Sequence, residues 1–351
     1  MTVAELLDLP VSITSLSTER YERETSQFTR VTTEIALSGD GETGRGEDVI
    51  YEADAHDELA AAGLPDLTGD YTLAEFSDQV ADASLFPSPP ERPVSRHYRQ
   101  WALESAALDL ALRQQETDLP TLLDRRREPV RFVTSMRLGD PPTTDRVDAL
   151  RERVPGVEFK LDPTQAWDDA LVATLADTDR VRILDLKGHY EGTDVDSPAD
   201  PELYERIIEG FPEAIIEDPA LTAETRPLFE AEAVRSRVSW DEPIESLADV
   251  KSLPWEPDWL NIKPSRFGSL ESLLETLTYC EEQGIQCYGG GQFELSVGRG
   301  QLQLLASLFY PDGPNDIAPR VYNEPAVADT LPPSPLSPPD SRGFRWDSTA
   351  E

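Results

Sequence analysis

Lysine is almost absent from this 351-residue chain, yet three of its four lysines follow short apolar runs that predict β-strands. They are Lys160, Lys187 and Lys263, while Lys251 lies in a polar connecting segment. Arginine supplies the remaining positive charge, but the pKa of a guanidinium is too high for it to act as a base. Lysines kept at strand ends, beside strand-end acids, therefore predict proton transfer near a metal ion.

Carboxylates follow the same series of predicted strands. Asp185 follows the third strand, Glu217 the fourth and Asp241 the fifth. Because consecutive strands of a parallel barrel are neighbours, we expect the three side chains to meet at one mouth of the barrel. Three carboxylates this close repel one another unless a cation lies between them, and oxygen-only ligands suit Mg²⁺ or Mn²⁺. We predict that they bind one divalent ion.

Two of the lysines, Lys160 and Lys263, lie on either side of these carboxylates in strand order. A lysine close to other positive charge can have a lowered pKa and accept a proton near neutral pH. Taken singly, an acid or a lysine at a strand end is more often part of a salt bridge or a helix cap than a catalytic group. Three acids and two lysines on consecutive strands rarely arise as scattered ion pairs, so we interpret the set as a catalytic site.

The elements that would position these residues begin near residue 130, where short apolar runs alternate with amphipathic stretches. The apolar runs, which predict strands, are 130–136, 157–161, 181–186, 214–216, 237–240, 259–262 and 285–288. The amphipathic stretches, which predict helices, are 143–153, 165–176, 200–210, 222–235 and 268–284. Because the units are short, regular and uninterrupted, with polar residues just past each strand, they favour a barrel over a large doubly wound sheet.

The first ~115 residues have a different pattern, which predicts a small α+β domain. Residues 11–38 read as two alternating strands around a polar stretch. A turn at Asp40-Gly41 follows, and a third strand is predicted to begin near residues 44–47. The strongest helical spacing lies at 97–115.

Composition divides the chain into three predicted parts. They are an α+β domain at 1–115, a barrel at 116–323 and a tail at 324–351. The tail is rich in proline and serine, so it can be neither a helix nor a central strand. We expect it to lie along the surface, anchored by Phe344 and Trp346.

The formal net charge of −37 limits the possible partners of the protein. Such a charge argues against nucleic acid and anionic membranes, and it repels itself unless salt screens it. Acidic residues in excess with so little lysine favour a protein from a high-salt cytoplasm over a merely acidic mesophilic enzyme. Two cysteines are too few for a disulfide framework, and no segment approaches the ~20 apolar residues of a membrane span. We predict a cytoplasmic protein that binds neither nucleic acid nor membranes.

Several motifs together resemble the enolase superfamily, in particular its muconate-lactonizing and o-succinylbenzoate-synthase-like branch. Residues 40–47 (DGETGRGE) resemble the glycine-rich turn of the capping domain, and the helix from Trp101 resembles the one that leads into the barrel. Three segments of this chain resemble the motifs that follow strands four, five and six of the family's barrel. They are IEDP at 216–219, WDE at 240–242 and NIKPSRFG at 261–268. Each motif alone is weak, but their order and spacing are specific, and they cover most of the chain.

This resemblance implies an α/β fold in which an N-terminal α+β capping domain covers a modified TIM barrel, (β/α)7β. It implies Mg²⁺-assisted removal of the proton α to a carboxylate, with Asp185, Glu217 and Asp241 as metal ligands. The implied substrate is a small carboxylate. Dimers and octamers are common in families of this kind, so we also expect a homo-oligomer.

Residue by residue, the resemblance makes Lys263 the base on one face, Lys160 the group that neutralises the substrate carboxylate, and Glu294 an orienting acid. The chain departs from the family pattern at two positions. Asp162 replaces the usual second lysine of Lys-x-Lys, and Lys187 replaces an asparagine. Either these two residues pair with each other, or Lys187 replaces the missing amine, or Lys263 runs a one-base reaction. No histidine follows the seventh strand, which disfavours the mandelate-racemase style of catalysis.

Two functional hypotheses follow. The first is a metal-dependent lyase, acting by elimination, or isomerase, acting by cycloisomerisation or epimerisation. One base suits elimination or cycloisomerisation better than racemisation. The second is a barrel that has lost the family reaction and binds a carboxylate ligand without turnover. We expect specificity to lie in capping-domain loops near residues 18–30 and 50–60.

Overall fold

The computed structural model describes residues 3–190 and 197–346 and has a mixed α/β architecture. The strands are β1 (Pro10–Ile13), β2 (Ser15–Glu24), β3 (Thr29–Gly39), β4 (Glu42–Asp48), β5 (Gly69–Thr72), β6 (Thr134–Met136), β7 (Phe159–Leu161), β8 (Val181–Asp185), β9 (Ile215–Glu217), β10 (Val238–Trp240), β11 (Trp259–Ile262) and β12 (Gln286–Gly289). The helices are α1 (Val3–Leu7), α2 (Ala53–Ala62), α3 (Leu73–Asp82), α4 (Ser95–Gln114), α5 (Leu119–Leu123), α6 (Asp145–Arg153), α7 (Asp169–Ala176), α8 (Pro201–Gly210), α9 (Glu232–Arg235), α10 (Leu247–Lys251), α11 (Pro264–Phe267), α12 (Leu270–Gln283) and α13 (Val297–Phe309). Within the described ranges, no helix has the length and apolar character needed to cross a membrane.

Seven parallel strands, β6 to β12, form one sheet in the order of the sequence. A short segment after α13 joins the two edges of this sheet, because Asn315 bridges to Phe132 and Asp316 bridges to Gly290. The backbone N–H of Asp316 donates to Gly289 O at 2.8 Å, and Asn315 O accepts from Val133 N at 2.8 Å. The predicted fold class, a (β/α)7β barrel with an N-terminal α+β capping domain, is confirmed.

The helices predicted around the barrel are confirmed, with one exception. Helix α8 begins as expected, since the Asp200 side chain accepts from the backbone N–H groups of residues 202 and 203. The helix predicted at 222–235 is wrong: the structure has a 3₁₀ turn at Arg226–Phe229 followed by the four-residue α9. Pro227 accounts for the difference, because proline has no N–H for a helical hydrogen bond and its ring clashes with the preceding turn.

The N-terminal part contains an antiparallel sheet, β2-β3-β4, and the pair β1-β5. Helix α4 packs directly on β4 through glycines: a Cβ on Gly46 would lie 2.0 Å from Ala102 O, and one on Gly44 would lie 2.2 Å from Ala106 O. No side chain larger than hydrogen fits at either position.

Two loops predicted in this part are regular structure instead, and those predictions are corrected. The stretch 18–30 belongs to a hairpin of β2 and β3, and most of 50–60 belongs to α2. Strand β2 exposes most of both faces to solvent, so its sequence lacks the polar and apolar alternation that reveals a half-buried strand.

The C-terminal segment lies against both parts of the chain. Leu336 bridges to Val130, which precedes β6. Phe344 and Trp346 are buried, and the Phe344 ring meets the Trp101 ring of α4 edge to face at 6.3 Å, so the predicted anchors are confirmed. Residues 347–351 of the predicted tail lie outside the described residues. The division at 115 and 323 remains a prediction.

A buried carboxylate links the capping helix α4 to the barrel helix α12. Glu104 accepts from Leu270 N at 2.7 Å and from Ser77 Oγ at 2.7 Å. Burial raises its pKa to about 7. The folded chain therefore binds a proton more tightly at Glu104 than the unfolded chain does, and the free energy of unfolding falls as pH rises from the unfolded pKa to about 7.

We expect the melting temperature of the wild type, relative to that of Glu104→Gln, to fall between about pH 5 and about pH 8. Parallel pH profiles of the two proteins would contradict this.

Candidate active site

Three buried carboxylates lie together at the carboxyl ends of adjacent barrel strands. Asp185 ends β8, Glu217 ends β9 and Asp241 directly follows β10. Asp185 and Glu217 are register partners, and one ligand atom of each of the three residues lies within 4.8 Å of those of the others. All three are fully buried. The structure thus brings together the residues predicted to bind a metal ion.

The side chains below this cluster close the interior of the barrel. Along β8 the alternation of the strand places Ile183 on the same face as Asp185, and along β9 it places Ile215 on the same face as Glu217. These isoleucines pack with Val133 and Tyr288 in a small apolar cluster. The side chains below the cluster are therefore mostly apolar, apart from the Tyr288 hydroxyl, which donates to Glu217.

Two lysines contact different members of the cluster. Lys160 Nζ lies 2.5 Å from Glu217 Oε1 and 3.1 Å from Asp185 Oδ2. Lys263 Nζ lies 2.6 Å from Asp241 Oδ2. Burial opposes the charge on Lys160, but Glu217 and Asp185 outweigh it and hold its pKa well above the ordinary value. Lys160 is therefore a fixed positive charge rather than a base.

The cluster has the chemistry that a divalent cation requires. Its ligands are carboxylate oxygens, which Mg²⁺ and Mn²⁺ prefer. Asp241 Oδ1 is buried and has no hydrogen-bond partner in the described chain, although Arg266 Nε lies 3.6 Å away. Burial and repulsion by Asp185 raise the pKa of Glu217 well above its ordinary range. A cation would give Asp241 Oδ1 a partner and would offset the repulsion between Glu217 and Asp185. The residues therefore fit a divalent ion.

Asp218 holds the end of β10 in place and was not predicted as a site residue. Its Oδ1 accepts from Asp241 N at 2.8 Å and its Oδ2 accepts from Glu242 N at 2.9 Å. Its φ of 48° is left-handed, a conformation that aspartate tolerates better than most residues. Burial and Asp241 raise its pKa to about 7. Asp218 directly follows Glu217 in the sequence, but its contacts with the end of β10 depend on the left-handed conformation of its backbone.

The two departures from the family pattern lie near each other, but they do not form a close pair. Lys187 Nζ donates to Asp185 Oδ2 and lies 4.0 Å from Asp162 Oδ2. Arg137 Nε donates to the same oxygen of Asp162 at 3.3 Å. Burial opposes the charge on Lys187, but Asp162 and Asp185 outweigh it and raise its pKa. By distance, Lys187 is a closer partner of Asp185, a predicted metal ligand, than of Asp162.

Two further residues on Asp241 were not found by sequence reasoning. Tyr190 Oη donates to Asp241 Oδ2 at 2.8 Å and accepts from Arg266 Nη2 at 3.1 Å. Arg266 also donates to Glu242 O at 2.9 Å. Arg266 lies inside the motif at 261–268, so a signal existed for it, whereas a tyrosine in a polar loop carries none.

Glu294, the predicted orienting acid, contacts other residues. It accepts from Gln292 N at 2.5 Å and pairs with Arg299 Nη2 at 3.1 Å. Beside it Glu47 of β4 accepts from Leu295 N at 2.6 Å, which joins the capping sheet to the start of α13. Any action of Glu294 on the carboxylate cluster remains a prediction.

Aromatic side chains connect the capping domain to the loop after β12. The ring of Phe28, at the tip of the β2–β3 hairpin, meets Phe293 at 5.1 Å and Tyr51 at 6.2 Å. Tyr51 Oη donates to Gln292 Oε1 at 2.9 Å, and Gln292 Nε2 donates to Tyr98 Oη at 3.2 Å. The two regions predicted to set specificity thus meet one barrel loop, while their role in specificity stays a prediction.

Comparison with known proteins adds two kinds of finding. Residues 126–324 match a family model described as the domain of unknown function (DUF8230) C-terminal domain, and residues 4–122 match its N-terminal domain. Comparison with curated protein sequences finds no match.

Solved structures of enolase-superfamily members share the fold. An enolase-superfamily protein from Listeria innocua has a TM-score of 0.63 and 18% identity, with 88% of this chain and 86% of that chain covered. A dipeptide epimerase from Methylococcus capsulatus, solved with Mg and the dipeptide L-Arg-D-Lys, has a TM-score of 0.63 and 18% identity over 87% of this chain and 88% of that chain. A muconate cycloisomerase from Pseudomonas fluorescens has a TM-score of 0.63 and 19% identity over 88% and 87%. The resemblance to this superfamily is confirmed at the level of the fold.

Proposed function

This chain belongs to the DUF8230 family, and from its enolase-superfamily fold we propose that it is a metal-dependent enzyme that removes the proton α to a carboxylate. The observation that carries the proposal is the buried cluster of Asp185, Glu217 and Asp241 at adjacent strand ends. Burying the cluster is costly even with the lysines that contact it, since burial and Asp185 still raise the pKa of Glu217 well above its ordinary range. Enzymes among the structural neighbours, a racemase, an epimerase and a cycloisomerase, support metal-dependent catalysis.

In this proposal the three carboxylates hold Mg²⁺ or Mn²⁺, and Lys160 neutralises the substrate carboxylate. When bound, the divalent ion supplies Lewis-acid stabilisation of the negative charge that develops on the substrate. Lys263 Nζ accepts the α-proton on one face. Its position 2.6 Å from Asp241 Oδ2 fixes the amine at the edge of the cluster, where a substrate bound to the carboxyl ends of the strands would lie.

The reaction is proposed to be an elimination or a cycloisomerisation of a small carboxylate. A two-lysine epimerisation needs an amine on each face, but Asp162 stands where the second lysine is expected. Lys187 does not stand at that position, since it follows β8, whereas Asp162 follows β7. A single base therefore fits the residues better.

A binding protein without turnover is the second candidate. The contact between Lys187 and Asp185 favours it, because an internal cation already occupies one oxygen of a proposed metal ligand. The metal content of the purified protein separates the two candidates. A divalent ion that copurifies or binds supports the enzyme, and its absence supports the alternative.

The decisive experiment is a screen of small carboxylates for exchange of the α-proton in deuterated water, with Mg²⁺ present. The proposal expects at least one substrate class to exchange with the wild type. The control is Glu217→Gln, which removes one proposed ligand and should abolish exchange. Metal binding with no exchange across a broad panel would overturn the proposed reaction and leave the metal centre in place.

We further propose a halophilic, cytoplasmic homo-oligomer. Unscreened, the net charge of −37 repels itself, and the Debye length falls from ~30 Å at 0.01 M salt to ~3 Å at 1 M. We expect the melting temperature to rise steadily from low to molar KCl. The same series in a non-ionic osmolyte controls for solute exclusion. A flat profile in KCl would remove the support for the halophilic proposal.

A further inference from the structure

Lys187 is a cation of the site to which the proposed reaction gives no task. It lies two residues beyond Asp185 and holds both oxygens of that carboxylate. Its backbone N–H donates to Asp185 Oδ1 at 3.1 Å, and its ammonium group donates to Asp185 Oδ2. One residue therefore contacts both oxygens of a proposed metal ligand.

The turn that carries Lys187 is fixed by its neighbours. The φ of Lys187 is 53°, in the left-handed region. Gly188 N donates to Asp218 O at 2.9 Å, and a Cβ on Gly188 would lie 2.2 Å from Ala220 N, so the backbone lies tightly against the next loop. The Lys187 ammonium lies 5.0 Å from the centre of the Tyr190 ring. Its side chain is only 15% exposed, so solvent does not screen it well.

We propose that Lys187 is an internal competitor of the divalent ion: its ammonium group and the metal share Asp185, and this competition lowers the metal affinity of the site. The inference rests on the proposed metal centre. A divalent ion must displace the ammonium from Asp185 Oδ2 or bind beside it against the repulsion of like charges. Metal occupancy then follows the ambient concentration of the ion, instead of being permanent.

The residue type at position 187 decides this effect. The family resemblance places an asparagine here, and an amide brings no charge to Asp185. Lys160 also contacts Asp185, at 3.1 Å, but its closer partner is Glu217 at 2.5 Å. Lys187 is therefore the cation whose removal should free Asp185.

The test is calorimetric titration of Mg²⁺ into the full chain without substrate. Lys187→Asn is expected to bind Mg²⁺ at least ~10-fold more tightly than the wild type, because one nearby positive charge is gone. Asparagine also tolerates the left-handed backbone. Lys187→Arg, which keeps the charge, should stay close to the wild type. Lys251→Asn makes the same change of net charge on the exposed end of α10 and should have no effect.

Each outcome bears on one of the two proposals. If the wild type and Lys187→Asn bind Mg²⁺ with equal affinity, or if the variant binds it more weakly, the proposal that Lys187 competes with the metal is overturned. The proposed metal centre then remains in place. Tightening by Lys251→Asn as well would trace the effect to net charge and also overturn the proposal that Lys187 competes. No binding by any of the proteins overturns the metal centre, and the inference with it. Lys187→Gln is expected to tighten binding likewise and replaces Lys187→Asn if that variant fails to fold.

Discussion

Lys263→Arg is expected to lower the rate of α-proton exchange by at least ~100-fold, the low end for a positioned acid–base group. Arginine keeps the positive charge beside Asp241 but offers no lone pair at neutral pH. The ion pair with Asp241 can persist, so the fold and the binding of Mg²⁺ should be largely unchanged. Exchange rates of the two proteins with the same substrate, measured by NMR in deuterated water, check this.

The control for this prediction is Lys251→Arg, the same substitution at a lysine outside the site. It should leave exchange unchanged. Near-equal rates for the wild type and Lys263→Arg would remove Lys263 as the base and shift attention to Lys187 and Asp162. A loss of Mg²⁺ binding in Lys263→Arg would instead assign Lys263 to the integrity of the metal centre.

The barrel was predictable because its strands are short, apolar and regularly spaced. Each strand from β6 to β12 falls within, or within one residue of, a predicted apolar run. Buried strands covered on both sides must be apolar throughout, and helices between them must show an apolar stripe. Both signals are local, so a single sequence reveals them.

The features that were missed lack such a local signal. Strand β2 has few buried side chains, so it resembles a polar loop in the sequence. The closure of the barrel depends on Asn315 and Asp316, two residues too few to show any periodicity. A helical pattern at 222–235 was outweighed by one proline.

The site shows the same contrast. Asp185, Glu217 and Asp241 could be placed together because the order of parallel strands determines which strand ends are neighbours. Tyr190 and Asp218 act on Asp241 through contacts that depend on loop conformation, including a left-handed φ at Asp218. Loop conformation depends on tertiary contacts, so the sequence names the ligands but does not show what holds them.

Glu217 is the member of the cluster that should lower the stability of the metal-free chain most while also serving as a metal ligand. It accepts from Lys160 Nζ at 2.5 Å, from Asn261 Nδ2 at 3.3 Å and from the hydroxyl of Tyr288. Burial and repulsion by Asp185 nevertheless raise its pKa well above the ordinary range. A carboxyl group with a raised folded pKa costs the folded chain stability as pH rises above its unfolded pKa, so at neutral pH Glu217 destabilises the metal-free chain relative to a side chain that does not titrate. Glutamine keeps the shape and removes this cost.

Glu217→Gln is therefore expected to melt at the same temperature as the wild type or higher without metal, and to lose at least ~100-fold in Mg²⁺ affinity. Loss of a partner that only orients a ligand costs about 10–100-fold, and loss of a charged ligand should cost more. Saturating Mg²⁺ at ~100 times its Kd stabilises a protein by ~2.7 kcal/mol, so a clear rise in melting temperature is expected for the wild type and not for the variant. Glu104→Gln removes a different buried carboxylate, which contacts Ser77, Gln100 and Leu270 and none of the three proposed ligands, and should respond to Mg²⁺ as the wild type does. Equal responses of the wild type and Glu217→Gln would exclude Glu217 as a ligand, because a site that loses a charged oxygen cannot hold Mg²⁺ unchanged.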